Sequence, residues 1–337
     1  MKIQIPAMLF AWLLLNSIQP ALATARPNID ASSCSKISTG EGPHSLLPLA
    51  NKQHLLISSH DRRRFEKQGN IYEYDVMSGQ MRILPRSGEP PHLEFRPHHM
   101  DIRENNGETL LYVINHDDTT PNSRNHSVLV YMVHDDSLSF RQQLKHPLLS
   151  SPNHLSVTSE GDIYVSNDRR DGSSNLELLL RQRKATIVHY RPGKGWRVVA
   201  EGLSFPNGII AASNHVLVSK TFGNAILEYP RKPDGSLGSP RTVLSLPLLD
   251  GLTESPNPGH YTVVSHASLV DFLRHQRDGR HPSASTVHEV NIASGQSRVV
   301  FKDSGKRISG ISAAVHLGNS IFFGQSFEPF LLRCPYS

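Results

Sequence analysis

Apolar and polar residues alternate along most of this chain in a cycle that returns six times. Each cycle has a short polar hook, an apolar run, a turn, and a further alternating pair of runs. The apolar runs are HLLISS, LLYVIN, DIYVSN, HVLVSK, YTVVSH and SIFFGQ. The hooks ahead of them are Glu41-Gly42-Pro43-His44, Pro97-His98-His99-Met100, Pro152-Asn153-His154-Leu155, Pro206-Asn207-Gly208-Ile209, Leu249-Asp250-Gly251-Leu252 and Ser309-Gly310-Ile311-Ser312. Between units lie segments over 71–84, 128–144, 187–203, 226–244 and 287–301. Each alternates, turns at Ser-Gly, Asp-Asp, Pro-Gly or Asp-Gly, and alternates again, which is the signature of a hairpin. Hook strand, partner strand and hairpin make four strands in about 52 residues, the length of a propeller blade. The pattern therefore predicts an all-β, six-bladed propeller.

The sixth unit is short of a strand. After SIFFGQ only Phe330-Leu331-Leu332-Arg333-Cys334 remains, so the fourth strand is expected from Ser35-Lys36-Ile37-Ser38, and one blade is shared by the two chain ends. Two segments break the period. Ser173–Ala185 carries Leu176, Leu179 and Leu180 at helical spacing, and Ser268–Arg277 carries Leu269, Phe272 and Leu273. Both are expected as short helices packed on the rim at the hooks' end of the central channel. Long helices do not alternate with the strands, which excludes a βαβ architecture.

The first residues have Lys2, an apolar stretch from Ile5 to Leu15, and Ala23-Thr24-Ala25. That reads as a signal peptide over 1–25. A retained anchor is the alternative, although the apolar run is short for a span. Residues 26–337 are expected to form one propeller domain in an exported protein. Cys34 and Cys334 are the two cysteines, one near each end. In an oxidising compartment a disulfide between them is the expectation, with two unrelated buried thiols as the alternative. Closing so long a loop is worth up to about 5 kcal/mol in the chain-entropy account. The formal charge of +5 and pI near 9.2 are modest, and the clusters Arg62-Arg63-Arg64 and Arg181-Gln182-Arg183-Lys184 form no stripe interleaved with aromatics. Nucleic acid is thus not an expected partner. Asn125-His126-Ser127 is a sequon for N-glycosylation at Asn125.

The innermost strands of a propeller line its channel, so one residue per hook forms a ring. Glu41, Asn153, Asn207 and Asp250 offer oxygen ligands, which suit a hard cation such as calcium. Two carboxylates neutralise a divalent ion, and the two amides add ligands without charge. Zinc is the poorer match, because no cysteine occupies the ring. Each hook alone reads as a turn, since Asn-Gly and Asp-Gly are turn pairs; the shared phase favours the metal. His98 stands in the same ring and suits a general base on water. His116, at the end of the next run, can relay the proton or orient His98. Asp168, Lys220 and His266 end other runs in the same way and are candidate substrate contacts. No G-x-S-x-G elbow supports a serine nucleophile.

At these residues the chain resembles the paraoxonase/arylesterase family of propeller lactonases. The resemblance rests on Cys34, Phe95-Arg96-Pro97-His98, Val113-Ile114-Asn115-His116, Asn153, Tyr164-Val165-Ser166-Asn167-Asp168, Val198-Val199-Ala200-Glu201-Gly202 running into Phe205-Pro206-Asn207-Gly208-Ile209, and Cys334. It implies a secreted, calcium-dependent hydrolase of lactones and aryl esters, with His98 and His116 as a histidine dyad, Asn153 and Asn207 as metal ligands and Cys34–Cys334 as the terminal disulfide. Where that family has further acidic residues, this chain has Gly42-Pro43 and His154, and where it adds an Asn beside the residue matching Asp250, this chain has Gly251. In this it is similar to the gluconolactonase/senescence-marker family, whose single site is built from Glu, two Asn and Asp. One calcium ion is expected rather than two. Attachment to membrane or lipoprotein is not expected, because the 173–185 segment is less apolar than the family's membrane-associated one. The alternatives are a non-catalytic propeller that binds a ligand on its rim, and a biosynthetic enzyme resembling strictosidine synthase.

Overall fold

The strands assemble into six separate sheets that follow one another around an axis as a six-bladed β-propeller. The computed structural model describes residues 29–49, 53–64, 66–105, 107–116, 125–169 and 183–336, so the leader over 1–25 lies outside the described residues. Strand β1 (Ser35–Ser38) opens the chain. Blade 1 is β2 (Pro43–Leu49), β3 (His54–Ser59), β4 (Asn70–Asp75) and β5 (Met81–Ile83). Blade 2 is β6 (Arg86–Ser87), β7 (Pro97–Asn105), β8 (Glu108–His116), β9 (His126–Val133) and β10 (Leu138–Lys145). Blade 3 is β11 (Pro152–Val157), β12 (Ile163–Asn167), β13 (Ala185–Arg191) and β14 (Gly195–Leu203). Blade 4 is β15 (Pro206–Ala211), β16 (His215–Lys220), β17 (Ala225–Pro230) and β18 (Arg241–Ser245). Blade 5 is β19 (Leu249–Glu254), β20 (His260–His266), β21 (Ser285–Asn291) and β22 (Ser297–Asp303). Blade 6 is β23 (Ile311–Leu317), β24 (Ser320–Gln325) and β25 (Phe330–Pro335).

Blade 6 is completed by β1, which pairs antiparallel with β25 from Ser35 opposite Arg333 to Ser38 opposite Phe330. Cys34 and Cys334 are disulfide-bonded beside this seam. The shared blade expected from the strand deficit is therefore present. Strand β6, absent from the sequence reading, adds to blade 2 as a parallel edge beside β10.

The blades are buried on both faces, which is why the second strands read as unbroken apolar runs. The core is divided among the seams between blades. Leu56 and Ile71 of blade 1 meet Met100, Leu111 and Val113 of blade 2 in one cluster. Leu55 and Ile57 meet Val315 and Phe322 of blade 6 in another. The remaining seams are filled in the same way, ending with Val287 and Phe301 of blade 5 against Ile311 and Phe323 of blade 6.

Helix α1 (Leu269–Arg277) is capped by Ser268, whose side chain accepts from Asp271 N at 3.2 Å. Phe272 packs on Phe327 and on His266 at 4.8 Å between ring centroids, so the helix rests on the hooks' end as expected. Leu273, expected on the packed face, is instead 42 % exposed, and His275 takes the buried position, held by Glu328 at 2.9 Å. Most of the helix expected over Ser173–Ala185 lies outside the described residues; its last residue, Ala185, opens β13 rather than ending a helix.

Candidate functional site

Every innermost strand starts with the same irregularity. Four of the six begin with proline (Pro43, Pro97, Pro152 and Pro206), a position where the missing N–H costs no ladder bond. In all six the register slips by one residue directly afterwards. Such a bulge re-aims the side chain beside it. The residues following the first strand position are His44, His98, Asn153, Asn207, Asp250 and Ser312. In register, then, the blade 1 counterpart of Asn153 is His44. Glu41 stands two residues ahead of β2; Ser59 Oγ donates to its carbonyl at 2.6 Å, and its carboxylate lies 3.8 Å from Arg64.

Four of the hooks are held through a carbonyl by a serine of the blade before them. Ser166 Oγ donates to Asn207 O at 2.6 Å, and Ser219 Oγ to Asp250 O at 2.6 Å. Ser58 Oγ likewise donates to His98 O, and Ser312 Oγ to His44 O at 2.9 Å. The hooks also crowd the axis. A Cβ on Gly251 would stand 2.1 Å from Ser312 O, so only glycine lets blades 5 and 6 approach this closely. The same point is 3.6 Å from His154 Cε1 of blade 3, across the channel.

Two amides are oriented by their neighbours. Thr221 Oγ1 donates to Leu249 O at 2.6 Å and so can only accept from Asn207 Nδ2, at 3.3 Å. The Asp168 carboxylate, an acceptor, takes Asn153 Nδ2 at 3.3 Å and the Ser151 hydroxyl. Both amide oxygens are thereby turned away from these braces; Asn153 Oδ1 and Asn207 Oδ1 are buried and accept no hydrogen bond. A buried acceptor left without a donor costs about 1–3 kcal/mol. Asp250, 7 % exposed, is held at one oxygen by His266 Nε2 at 2.8 Å. Oriented, uncommitted oxygens with fixed partners behind them are the arrangement a hard cation requires. Among the described residues no group of three or more His, Cys, Asp or Glu side chains is placed to hold a metal. Amides make half of the expected ligand set, which contains only two carboxylates.

The imidazoles form a second cluster. His44 meets His98 edge-on at 4.3 Å and His154 at 6.1 Å, while His99 stacks on His154 at 4.0 Å. Burial holds His44, His98 and His154 well below the ordinary histidine range, and His99 at about 3. His44 and the charge of Arg62 push His98 further down. His44 Nδ1, His98 Nε2 and both nitrogens of His154 have no partner. His98 Nδ1 bonds to His116 Nε2 at 2.8 Å, so the expected pair is in hydrogen contact. Arg62 reaches Gly42 O at 3.3 Å; burial lowers its guanidinium to about 10, with Asp250 opposing.

Of the residues predicted as substrate contacts, Asp168 and His266 bond to the ring residues Asn153 and Asp250. Lys220 ends β16 half-buried, its ammonium lowered by burial and by Arg183. Asn125 is exposed just before β9. The sequence reading passed over Thr221, Arg62, His44, His99 and His154. The bulge, invisible in the sequence, puts the imidazoles of blades 1 to 3 on the axis. For Thr221 and the bracing serines a signal was there: Ser58, Ser166 and Ser219 recur at one phase of the second strand.

A six-bladed propeller with a polar axial site defines the class. A family model described as Arylesterase matches residues 63–334, and the chain belongs to that family. It is 26 % identical over 244 residues to serum paraoxonase/arylesterase 2 of Rattus norvegicus, covering 69 % of this chain and 67 % of that one. To serum paraoxonase/lactonase 3 of Homo sapiens it is 25 % identical over 278 residues, covering 79 % and 77 %. Among solved structures it is similar to a gluconolactonase from Xanthomonas campestris, with TM-score 0.59 at 16 % identity over 94 % of this chain and 93 % of that one. A luciferin-regenerating enzyme superposes at TM-score 0.59 with 9 % identity, over 90 % and 94 %. These structural likenesses speak for the fold alone.

Proposed function

We propose that the chain is a calcium-dependent hydrolase of lactones and aryl esters. The carrying observation is the pair of amide oxygens, Asn153 Oδ1 and Asn207 Oδ1, oriented by Asp168 and Thr221 and left without donors at the same strand position that carries His98 of the His98–His116 pair. Membership of the arylesterase family, and relatives named as arylesterase and lactonase, support the substrate class. Glu41, Asn153, Asn207 and Asp250 would hold one Ca2+. When bound, the ion would supply a Lewis acid for the carbonyl and charge for the developing oxyanion. The protein's own part is positional and acid–base. Burial keeps His98 neutral, and with its proton on Nδ1, toward His116, its unpartnered Nε2 would offer a lone pair to an attacking water. His116 fixes the ring plane from the other side. Lys220, Asp168 and His266 stand at strand ends around the mouth as candidate substrate contacts. The leader over 1–25, the Cys34–Cys334 disulfide and the Asn125 sequon support an exported, glycosylated protein with one domain over 26–337.

The test is hydrolysis of phenyl acetate and a γ-lactone with and without chelator, alongside Asp250→Ala. Activity abolished by chelator, restored by Ca2+ and lost in the variant is the expected result. Activity that survives chelation would overturn the reading.

A further inference from the structure

The His98–His116 pair does not end at His116. His116 Nδ1 lies 2.9 Å from His126 Nδ1, with the rings edge-on at 4.8 Å. Strand pairing sets this third member: His116 and His126 are register partners where β8 meets β9. Three imidazoles thus run outward from the channel, through 2.8 Å and 2.9 Å contacts, to a half-buried residue at the rim.

The hydrogen bonds admit only two proton orders, because a neutral imidazole carries one N–H. In one, His98 and His116 each donate outward from Nδ1, leaving His98 Nε2 with a bare lone pair in the channel. In the other, His126 and His116 donate inward and His98 Nε2 carries the proton. Only the first lets His98 accept a proton from water. It also leaves His116 donating to His126, with the His126 proton on Nε2.

We infer that His126 is a positioning and relay residue that extends the histidine pair into a three-membered proton wire. The inference rests on the hydrolase reading above. In the step, the water O–H bond breaks as its oxygen bonds the carbonyl carbon, and the proton passes to His98 Nε2. His98 Nδ1–H moves to His116 Nε2, and His116 Nδ1–H moves to His126 Nδ1. The positive charge leaves the buried channel for the rim. The reverse movement returns a proton from His98 Nε2 to the leaving oxygen as the ester C–O bond breaks, and restores the starting tautomers. Burial makes a charged His98 or His116 costly, and Arg62, His60, Arg169 and His44 all bear on the pair with the same sign. A base in that setting functions best if it hands its proton on.

Two experiments on the full chain decide this. The first is 15N NMR of histidine-labelled wild type, in which His98 and His116 should both be protonated at Nδ1 and bare at Nε2. A proton on His98 Nε2 in the resting protein would overturn the wire whatever the activity. The second compares His126→Asn and His126→Ala with wild type on phenyl acetate. The expected result is kcat lower by about 10- to 100-fold, KM within twofold, unchanged melting temperature, and partial rescue of His126→Ala by added imidazole. A kcat within twofold of wild type, or a loss that follows melting temperature and resists imidazole, would refute the relay. Wild type without any esterase or lactonase activity would remove the hydrolase reading, while the NMR tautomers still report on the wire itself.

Discussion

The two ends of the central channel are built from the same six strands and differ in what their polar groups do. At the far end, beside a cavity of about 330 Å3, side chains staple neighbouring blades together. Asp101 accepts from Val157 N at 2.7 Å and Ile102 N at 2.8 Å, Ser156 accepts from Ala211 N at 3.0 Å, and His99 from Leu155 N at 3.3 Å. Among the described residues there, His316 Nδ1 has no partner. At the hook end the braces are equally regular, yet they stop one atom short. Asn153 Oδ1, Asn207 Oδ1 and His98 Nε2 are supported from behind and uncommitted in front, and His44 Nδ1 is uncommitted beside them. One end is satisfied for stability and the other is held open for chemistry.

The comparison can be broken by variants at each end. Asn207→Ala should lower hydrolysis by more than about 100-fold in kinetic assays, as expected for losing a ligand with fixed support. Its melting temperature in chelator should fall little, because the deleted oxygen has no donor there and the amide gives up only its long 3.3 Å bond to Thr221. Asp101→Ala at the far end should do the opposite. It leaves Val157 N without its acceptor and should cost about 1–3 kcal/mol in denaturant titration, with activity within twofold.

Acid should separate the ends more gently. His44 and His154 are depressed by burial, so the unfolded chain binds protons first as pH falls through 6.5. Stability is therefore full above that pH, and each imidazole removes about 1.4 kcal/mol per pH unit below it. Asp101 has the reverse sign: burial raises it to about 6, and its penalty fades as pH falls through that value. In chelator, wild type should destabilise on acidification below 6.5, and Asp101→Asn should steepen that loss. A stability flat from pH 7 to 5 would mean the axial imidazoles are solvated.

Most of the fold was legible because period-2 alternation and turn pairs are local signals. Cys34, Ser35–Ser38 and the missing sixth-blade strand agreed on how the ring closes. Strand β6 was not legible, since two residues pairing in parallel have no period. In the site, His98, Asn153, Asn207 and Asp250 follow the first residue of their strands as read. Glu41 drew attention by its chemistry, but Pro43 opens β2 as Pro97, Pro152 and Pro206 open their strands, so the register position belongs to His44. His126 was hidden inside the sequon Asn125-His126-Ser127. Its meaning emerges only when β9 is laid beside β8.

The serine clasps have a consequence for how such a molecule can change. Because Ser166 fixes Asn207 and Ser219 fixes Asp250, these two functional positions are completed by the blade that precedes them in the chain. Transplanting a single blade from a cousin would arrive without its clasp, and one blade downstream would lose its own. Adaptation of this ring should thus proceed through coupled pairs that straddle blade boundaries, with epistasis running in the direction of the polypeptide.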